Sequence, residues 1–339
     1  MPLHEAHYQH WEGVRSGIWS RRAVIAANGL RGCLRGKWLR RVLAACWGGA
    51  LAQVAVLFAL GQLLVKDSLV ARSTNNFDPQ LRGFLQGLVG WLEQHPEISV
   101  RVTQDFLFYQ LSGYLTVFTM LAIALAVPHL ITRDLGSKAI LIYSSKAITR
   151  WDYVLGKAGT VFGLIGLTWL GPVVFSWFLG NLLAPHWHFF WHSRLALLHA
   201  GLYGLGAAAV LSGLALGVSA ISPREKITAT AWLAIWLVGR VFSSIGNAPR
   251  EVLASTPRHW LEHLSTTFNL SQLSASIFRL GDDLQLAREN VPLIGNLLHG
   301  ANPRALAAVQ SPDVWGAVIS LGVMLAIAAA LVAWRVKPE

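Results

Sequence analysis

Two histidine-rich stretches carry the clearest patterns for metal chemistry. The first, HWLEH at residues 259–263, matches the H-x-x-E-H arrangement of one group of metallopeptidases. On a helix, His259 and His263 would share a face, and Glu262 could act as a general base. Twelve histidines in the chain make a chance match easy, and no third ligand accompanies this one. A metal-dependent enzyme is therefore an alternative and not the main hypothesis.

The second stretch, PHWHFFWH at residues 185–192, also spaces two histidines one helical turn apart. His188 and His192 could hold a metal on one helix face. The tryptophans and phenylalanines between them are more typical of an aromatic belt at a membrane–water interface. This stretch therefore favours a membrane location over catalysis.

Motifs for nucleotide hydrolysis and for acyl transfer are absent from the sequence. Gly36-Lys37 is followed by Trp38, and Gly156-Lys157 is followed by Ala158, whereas a phosphate loop requires Ser or Thr there. No G-x-S-x-G nucleophile motif occurs. The chain has no phosphate loop of its own to bind ATP.

The elements that must position these residues are apolar. Hydrophobic residues make up 54% of the 339 residues and charged residues 13%, with 15 tryptophans. About 20 apolar residues suffice to cross a bilayer as a helix. Six segments reach that length, the fifth being the shortest: residues 42–65, 106–132, 158–183, 195–221, 228–245 and 314–334. The sequence predicts an all-α integral membrane protein with six transmembrane helices.

Charge predicts the orientation of these spans. If the N-terminus is cytoplasmic, 17 of the 28 Lys and Arg residues lie inside and 10 outside, with Arg240 in the fifth span. Net charge is then +11 inside and −1 outside. The positive-inside rule counts Lys and Arg in short loops, and all the short basic loops fall on the inner side. Both termini are predicted to be cytoplasmic. The basic character thus reflects membrane topology, and we expect no nucleic-acid partner.

Three segments lie outside the spans and are long. Residues 1–41 form a basic N-terminal segment without an apolar core, so we expect no cleavable signal peptide. Residues 14–41 alternate apolar and basic residues, which predicts an amphipathic helix on the inner leaflet; an ordinary membrane-flanking segment is the alternative. The outer loops 66–105 and 246–313 are predicted to form helices near the outer interface. Residues 42–336 form the predicted membrane domain.

The cytoplasmic loop at residues 133–157 has the most specific pattern. It contains Asp134, Gly136-Ser137, the run AILIYSS, then Ala147-Ile148-Thr149-Arg150 and finally Leu155-Gly156-Lys157. This order resembles the second cytoplasmic element of ABC-2 transporter permeases. Lys146 and Ala147 stand where that family often has Ser-Pro or Arg-Pro, so the turn differs there. The layout of six spans, a basic N-terminal helix and a large loop before the last span is similar to that family too.

The resemblance implies that residues 133–157 are a coupling helix that docks into a separate ATP-binding subunit. The candidate coupling residues are Asp134, Gly136, Ser137, Lys138, Ser144, Ser145, Arg150 and Lys157. A solvated loop is the alternative for this stretch.

Further partners follow from the same resemblance. Two ATP-binding subunits would carry ATP and Mg²⁺, and this chain would carry no cofactor. A second copy would complete a homodimer in the bacterial cytoplasmic membrane, with spans one and five at the midline. Gln53 and Arg240 are the candidates for lining the export path of an amphipathic or hydrophobic cargo such as an antibiotic, peptide, lipid or lipid-linked glycan.

A secondary transporter or a membrane enzyme is the alternative function. Acidic residues buried in the spans would favour ion coupling, and no acid lies at the centre of any predicted span.

Overall fold

Helices account for all regular structure in the part of the chain that the computed structural model describes, residues 17–63, 65, 78–138, 149–246, 259–291 and 303–336. In chain order they are α1 Ile18–Leu34, α2 Lys37–Leu63, α3 Pro79–Gln94, α4 Pro96–Ala126, α5 Thr132–Gly136, α6 Arg150–Ile165, α7 Gly171–Leu182, α8 His188–His192, α9 Arg194–Ala220, α10 Glu225–Gly246, α11 His259–Glu262, α12 Thr266–Ile277, α13 Leu280–Asn290, α14 Pro303–Gln310 and α15 Val314–Arg335.

Six of the described helical stretches are long and apolar enough to cross a membrane. They are Lys37–Leu63, Pro96–Gly136, Arg150–Leu182, Phe189–Ala220, Glu225–Ile245 and Val314–Arg335. The prediction of an all-α protein with six spans is thereby confirmed, and the chain is a multi-pass membrane protein. We number the spans one to six in this order.

The helices extend beyond several predicted span boundaries. Span one was predicted from residue 42 and its helix begins at Lys37; span two was predicted from residue 106 and its helix begins at Pro96. Residues 96–105 therefore belong to a long helix rather than to an outer loop. Hydropathy marks only the apolar part of a helix, whereas caps and N-terminal prolines set its ends.

Prolines accompany irregular turns in spans two and three. A 3₁₀ turn at Val127–His129 contains Pro128 and separates α4 from the short α5. In span three, a π-helical turn at Gly166–Leu170 precedes Pro172, which lies in the first turn of α7. Because proline has no N–H, the helix must change its hydrogen-bonding pattern near each proline.

The N-terminal helix α1 packs along α6 at the start of span three. A Cβ added at Gly156, Gly159 or Gly163 would come within 3.0 Å of a side-chain atom of Ile25, Ala26 or Leu30, in that order. The glycines therefore let the two helices approach closely. The predicted amphipathic helix at 14–41 is thus a shorter helix held on span three, and the chain breaks at Arg35 and Gly36 before span one.

After span five the chain folds back between the spans. A Cβ at Gly239, inside α10, would lie 3.1 Å from Ser265 Cα, and Thr266 Oγ1 lies 3.7 Å from Met324 Sδ, near the middle of α15. The outer loop 246–313 was predicted to form helices near the outer interface. α12, which belongs to this loop, instead contacts the middle of span six. Its buried Asn269 and Gln272 are hydrogen-bonded to other protein groups, which offsets the cost of burying them.

Candidate coupling site at the 133–157 end

Two arms meet at the end of the bundle that carries the 133–157 element. The first arm is α5 with Ser137 and Lys138, and the second is Thr149 with the first turns of α6. Asp134 Oδ2 lies 2.8 Å from Lys157 Nζ, and the Tyr153 hydroxyl donates to the same oxygen at 2.7 Å. Asp134 and Lys157 are only 14% and 11% exposed. These two predicted coupling residues therefore bind each other and join the arms.

A capping box starts the second arm. The Thr149 hydroxyl donates to Asp152 Oδ2 at 2.7 Å, and its oxygen accepts a hydrogen bond from the Asp152 backbone N–H at 3.1 Å. The N-terminus of α6 is thereby satisfied. The Arg22 guanidinium of α1 reaches Asp152 Oδ1 at 2.6 Å through Nη2 and at 2.7 Å through Nε. One carboxylate therefore fixes both the cap and the position of α1.

A buried hydroxyl network ties the first arm to spans four and five. Ser219 Oγ accepts hydrogen bonds from the backbone N–H groups of Ile131 and Thr132 at 2.8 and 3.0 Å and donates to the Val127 carbonyl at 2.9 Å. Thr132 Oγ1 donates to the Ser219 carbonyl at 2.8 Å and lies 3.2 Å from Thr228 Oγ1. The base of the 133–157 element is thus bonded to the end of α9 and the start of α10.

The remaining described candidates lie on the surface. Gly136, Ser137, Lys138 and Arg150 are exposed, and Trp151 next to them is 73% exposed. We call these five residues the exposed surface. Arg150 has no ion-pair partner among the described residues. The exposed surface therefore combines two cations with a large aromatic ring.

Local backbone geometry shapes this surface. Lys138 has φ of 56°, a left-handed conformation that turns the chain away from α5. A Cβ at Gly136 would lie 3.1 Å from the Pro223 carbonyl oxygen, so glycine allows α5 to approach the turn between spans four and five. Ser144 and Ser145 lie outside the described residues, as do residues 139–143 and 146–148 of the same element.

A cavity of about 370 Å³ lies beside the second arm. Arg150, Trp151 and Val154 line one side of it, and Leu325 and Val332 of span six line the other. The exposed surface is therefore continuous with a groove between spans three and six.

The two candidates for a cargo path have different surroundings. Gln53 is 8% exposed within span one, where α2 packs on α4 and α7. Its Nε2 has no hydrogen-bond partner among the described residues. Arg240 is exposed on α10, which packs on α4, α11 and α12. Within one copy of the chain, α2 and α10 both pack on α4, and each also packs on helices that the other does not contact as closely.

The histidine motifs have other bonding partners. His263 Nδ1 lies 2.7 Å from Asn269 Oδ1, and its Nε2 lies 3.1 Å from Asp313 Oδ2. Both ring nitrogens are thus engaged between α11, α12 and span six. The side chains of His259 and His188 lie outside what the structure describes. Among the described residues, no group of three or more His, Cys, Asp and Glu side chains could hold a metal ion.

Sequence reasoning missed several residues of this site, namely Arg22, Trp151, Asp152 and Tyr153. The pattern Thr149-x-x-Asp152 nevertheless matches a capping box and was readable from the sequence.

In comparisons with known proteins, no protein-family model matches the chain, and no curated protein matches it.

Proposed function

We propose that this chain is the membrane-spanning permease subunit of an ATP-driven exporter, and that the 133–157 element is its coupling element. The supporting observation is that the two arms of this element are held together while its exposed surface stays accessible. Asp134, Tyr153 and Lys157 fix the two arms to each other, and the exposed surface stands beyond them. A rigid base with an accessible tip suits an element that transmits force.

The connections of this element suggest how motion would spread. The second arm continues directly into span three, and Ser219 and Thr228 bind the first arm to spans four and five. Since the first arm is itself the end of span two, a push on the exposed surface would displace spans two, three, four and five together. Closure of the ATP-binding subunits around ATP and Mg²⁺ would supply that push.

Assembly as a homodimer completes this proposal. One chain offers one coupling element, whereas two ATP-binding subunits act together, so two copies of the permease are required. Spans one and five, like span six, have few buried residues, and they carry large exposed apolar side chains such as Leu51, Leu237 and Val241. We place these two spans at the midline, with Gln53 and Arg240 beside the path.

The proposed location is the bacterial cytoplasmic membrane, with both termini and the coupling element inside. The apolar character of the spans suits an amphipathic or hydrophobic cargo moved outward. Topology is tested with two single-cysteine variants, Glu289→Cys and Ser137→Cys, since both positions are exposed and native Cys33 and Cys46 are buried. We expect an impermeant thiol reagent to label position 289 in intact cells and position 137 only after lysis. The reverse pattern would overturn the orientation and the coupling role together.

Coupling is tested by mutating the exposed surface. Arg and Trp are the residues most often found at the energetic centre of interfaces. Co-purification with the tagged chain should yield an ATP-binding subunit, and Arg150→Glu and Trp151→Ala should each weaken its retention by about 10-fold or more. Arg288→Glu, at an exposed arginine of α13, is the matched control and should retain the subunit. Retention by both surface variants at the parent level would overturn the proposal, as would the absence of any co-purified ATP-binding protein.

A second candidate function, an ion-coupled secondary transporter, is favoured by one observation. Asp105 in the helix of span two is 1% exposed and lies 3.0 Å from His199 of span four. Buried ionisable residues in membrane segments often carry protons or ions. Transport into liposomes driven by a proton gradient without nucleotide, and lost in Asp105→Asn, would favour this candidate over the exporter.

A further inference from the structure

Two carboxyl groups meet at the end of the bundle opposite to the coupling element. Asp105 belongs to α4 and Asp283 to α13, and they are 1% and 3% exposed. Asp105 Oδ1 lies 3.0 Å from His199 Nδ1, and Asp283 Oδ1 lies 3.4 Å from Arg101 Nη2. Each carboxyl group thus has a basic partner on one of its oxygens.

The second oxygen of each carboxyl group has no such partner. Oδ2 of Asp105 and Oδ2 of Asp283 are both buried and lack a hydrogen-bond donor among the described residues. Asp283 binds Arg101, which lies one helical turn before Asp105 on α4, so the two carboxyl groups lie on the same side of that helix. Two ionised carboxylates in contact repel each other, whereas one proton between them converts the repulsion into a hydrogen bond.

We propose that Asp105 and Asp283 form a proton-binding site, in which one shared proton latches α13 onto span two. With the proton bound, one carboxyl group donates to the other and α13 is held against α4. When the proton leaves to solvent, two negative charges face each other in a buried position and α13 separates from α4. The site therefore makes the packing of α13 against α4 depend on the external pH.

Among the described side chains, no other charged group donates a hydrogen bond to either of these oxygens. Besides Arg101 and His199, the charged residues of α13 and of the helices that pack on it are Glu97, Asp282, Arg288, Glu289, Arg304, Arg82 and Glu93. Of these, Glu97, Asp282, Arg288, Glu289 and Glu93 are exposed. α12 contains no charged residue. The titratable Tyr109 and Tyr203 face the ring of Phe278 at centroid distances of 6.3 and 6.4 Å.

Burial, followed by the neighbouring Asp105 charge, raises the pKa of Asp283 to about 7. An aspartate in the unfolded or released segment has a pKa near 3.9. The packed form therefore binds more protons than the released form between these values, so packing weakens as pH rises towards 7. The latch is closed at pH 5 to 6 and loosened above pH 7.

α13 has a second attachment that confines the movement. Leu88 and Trp91 of α3 pack in one buried cluster with Val100 of α4 and with Ala287 and Val291 at the far end of α13. Release at Asp283 therefore frees the first turns of α13, next to the left-handed residue Arg279, before the far end.

The test is amide hydrogen exchange of the purified full-length protein at pH 6 and pH 8, corrected for the intrinsic rate. We expect amides of α13 to open on the order of tenfold more often at pH 8, while amides of α9 change little. Asp283→Asn should remove this difference, since the amide can donate to Asp105 at either pH. Asp282→Asn, at the exposed neighbouring carboxylate, should leave it unchanged.

Two outcomes would overturn the latch: no difference between pH 6 and pH 8 in the parent, or a difference that survives Asp283→Asn. A surviving difference that His199→Gln removes would assign the effect to the imidazole. If Asp283→Asn does not fold, infrared difference spectra of the unmodified protein decide. A protonated carboxyl band lost between pH 6 and pH 8 supports the proposal, and its absence at pH 6 overturns it.

Discussion

The two ends of the helical bundle both bury ionisable side chains, but they pair them differently. At the coupling end, Asp134 faces Lys157 at 2.8 Å and accepts a further hydrogen bond from Tyr153. At the opposite end, Asp105 faces Asp283, and each keeps one buried oxygen without a partner among the described residues. The first is a pair of opposite charges and the second a pair of like charges.

The two kinds of pair have different consequences for movement at each end. A buried pair of opposite charges with an added hydrogen bond has one low-energy arrangement, so it holds two segments in a fixed relation. A buried pair of like charges depends on a proton that solvent can remove, so its strength varies with pH. The end that carries the 133–157 element is held as a rigid joint, and the contact that we propose at the opposite end can be switched by pH.

The largest effect is expected from breaking the opposite-charge pair. Lys157→Met leaves the Asp134 carboxylate buried without its cation, which should lower the free energy of unfolding by about 3 kcal/mol. Reversible unfolding in mixed micelles measures this change. The double variant Asp134→Asn with Lys157→Met should recover much of the loss, since no charge then remains unpaired. Lys138→Met, at an exposed lysine of the same element, should have little effect; an equal loss there would refute the assignment.

Removing one member of the like-charge pair should have the opposite sign. Asp283→Asn should raise the free energy of unfolding by about 1–3 kcal/mol at pH 8, where the parent must bury two negative charges. At pH 5 the parent pair holds its proton, so the gain should be much smaller. Unfolding of parent and variant at both pH values measures the difference. A variant that is less stable than the parent at pH 8 would contradict the comparison.

A smaller effect is expected at the cap that positions the second arm. Thr149→Ala removes the hydroxyl that binds the Asp152 backbone N–H and carboxylate, and should lower the free energy of unfolding by about 1 kcal/mol. Thr149→Ser keeps the hydroxyl and should remain close to the parent. If serine and alanine cost the same amount, packing of the threonine methyl group and not the cap determines the effect.

The smallest effect is expected at an exposed ion pair on α13. Arg279 and Asp282 lie 3.2 Å apart, but their side chains are 66% and 68% exposed. Solvent screens such a pair, so Asp282→Asn should change the free energy of unfolding by less than about 0.5 kcal/mol at either pH. A large change at this position would show that burial is not what distinguishes Asp283 from its neighbour.

Much of the site's local structure was predictable from the sequence. The six apolar segments fixed the class of protein because crossing a bilayer is a matter of length and hydropathy. The Thr149-x-x-Asp152 pattern, which was overlooked, could have located the start of α6, because a cap is made within four residues. The motif at 133–157 singled out Asp134 and Lys157, although as contacts for a partner.

Which of these residues a partner could reach depends on the tertiary structure. Asp134 and Lys157 are occupied by each other, while Arg150 and Trp151 remain exposed. The amphipathic pattern of α1 alone predicted a helix on the inner leaflet. In the structure, α1 packs against the glycines of α6.

The opposite end shows most clearly what the sequence could not determine. Asp105 stands at the edge of the predicted second span, and Asp283 stands in a polar stretch of a predicted loop, so neither pattern marks burial. Arg101 and Asp283 are separated by 182 positions in the chain. Hydropathy, caps and motifs are properties of neighbouring residues, whereas a shared proton depends on the distance between two side chains, which only the packing of α13 on α4 sets.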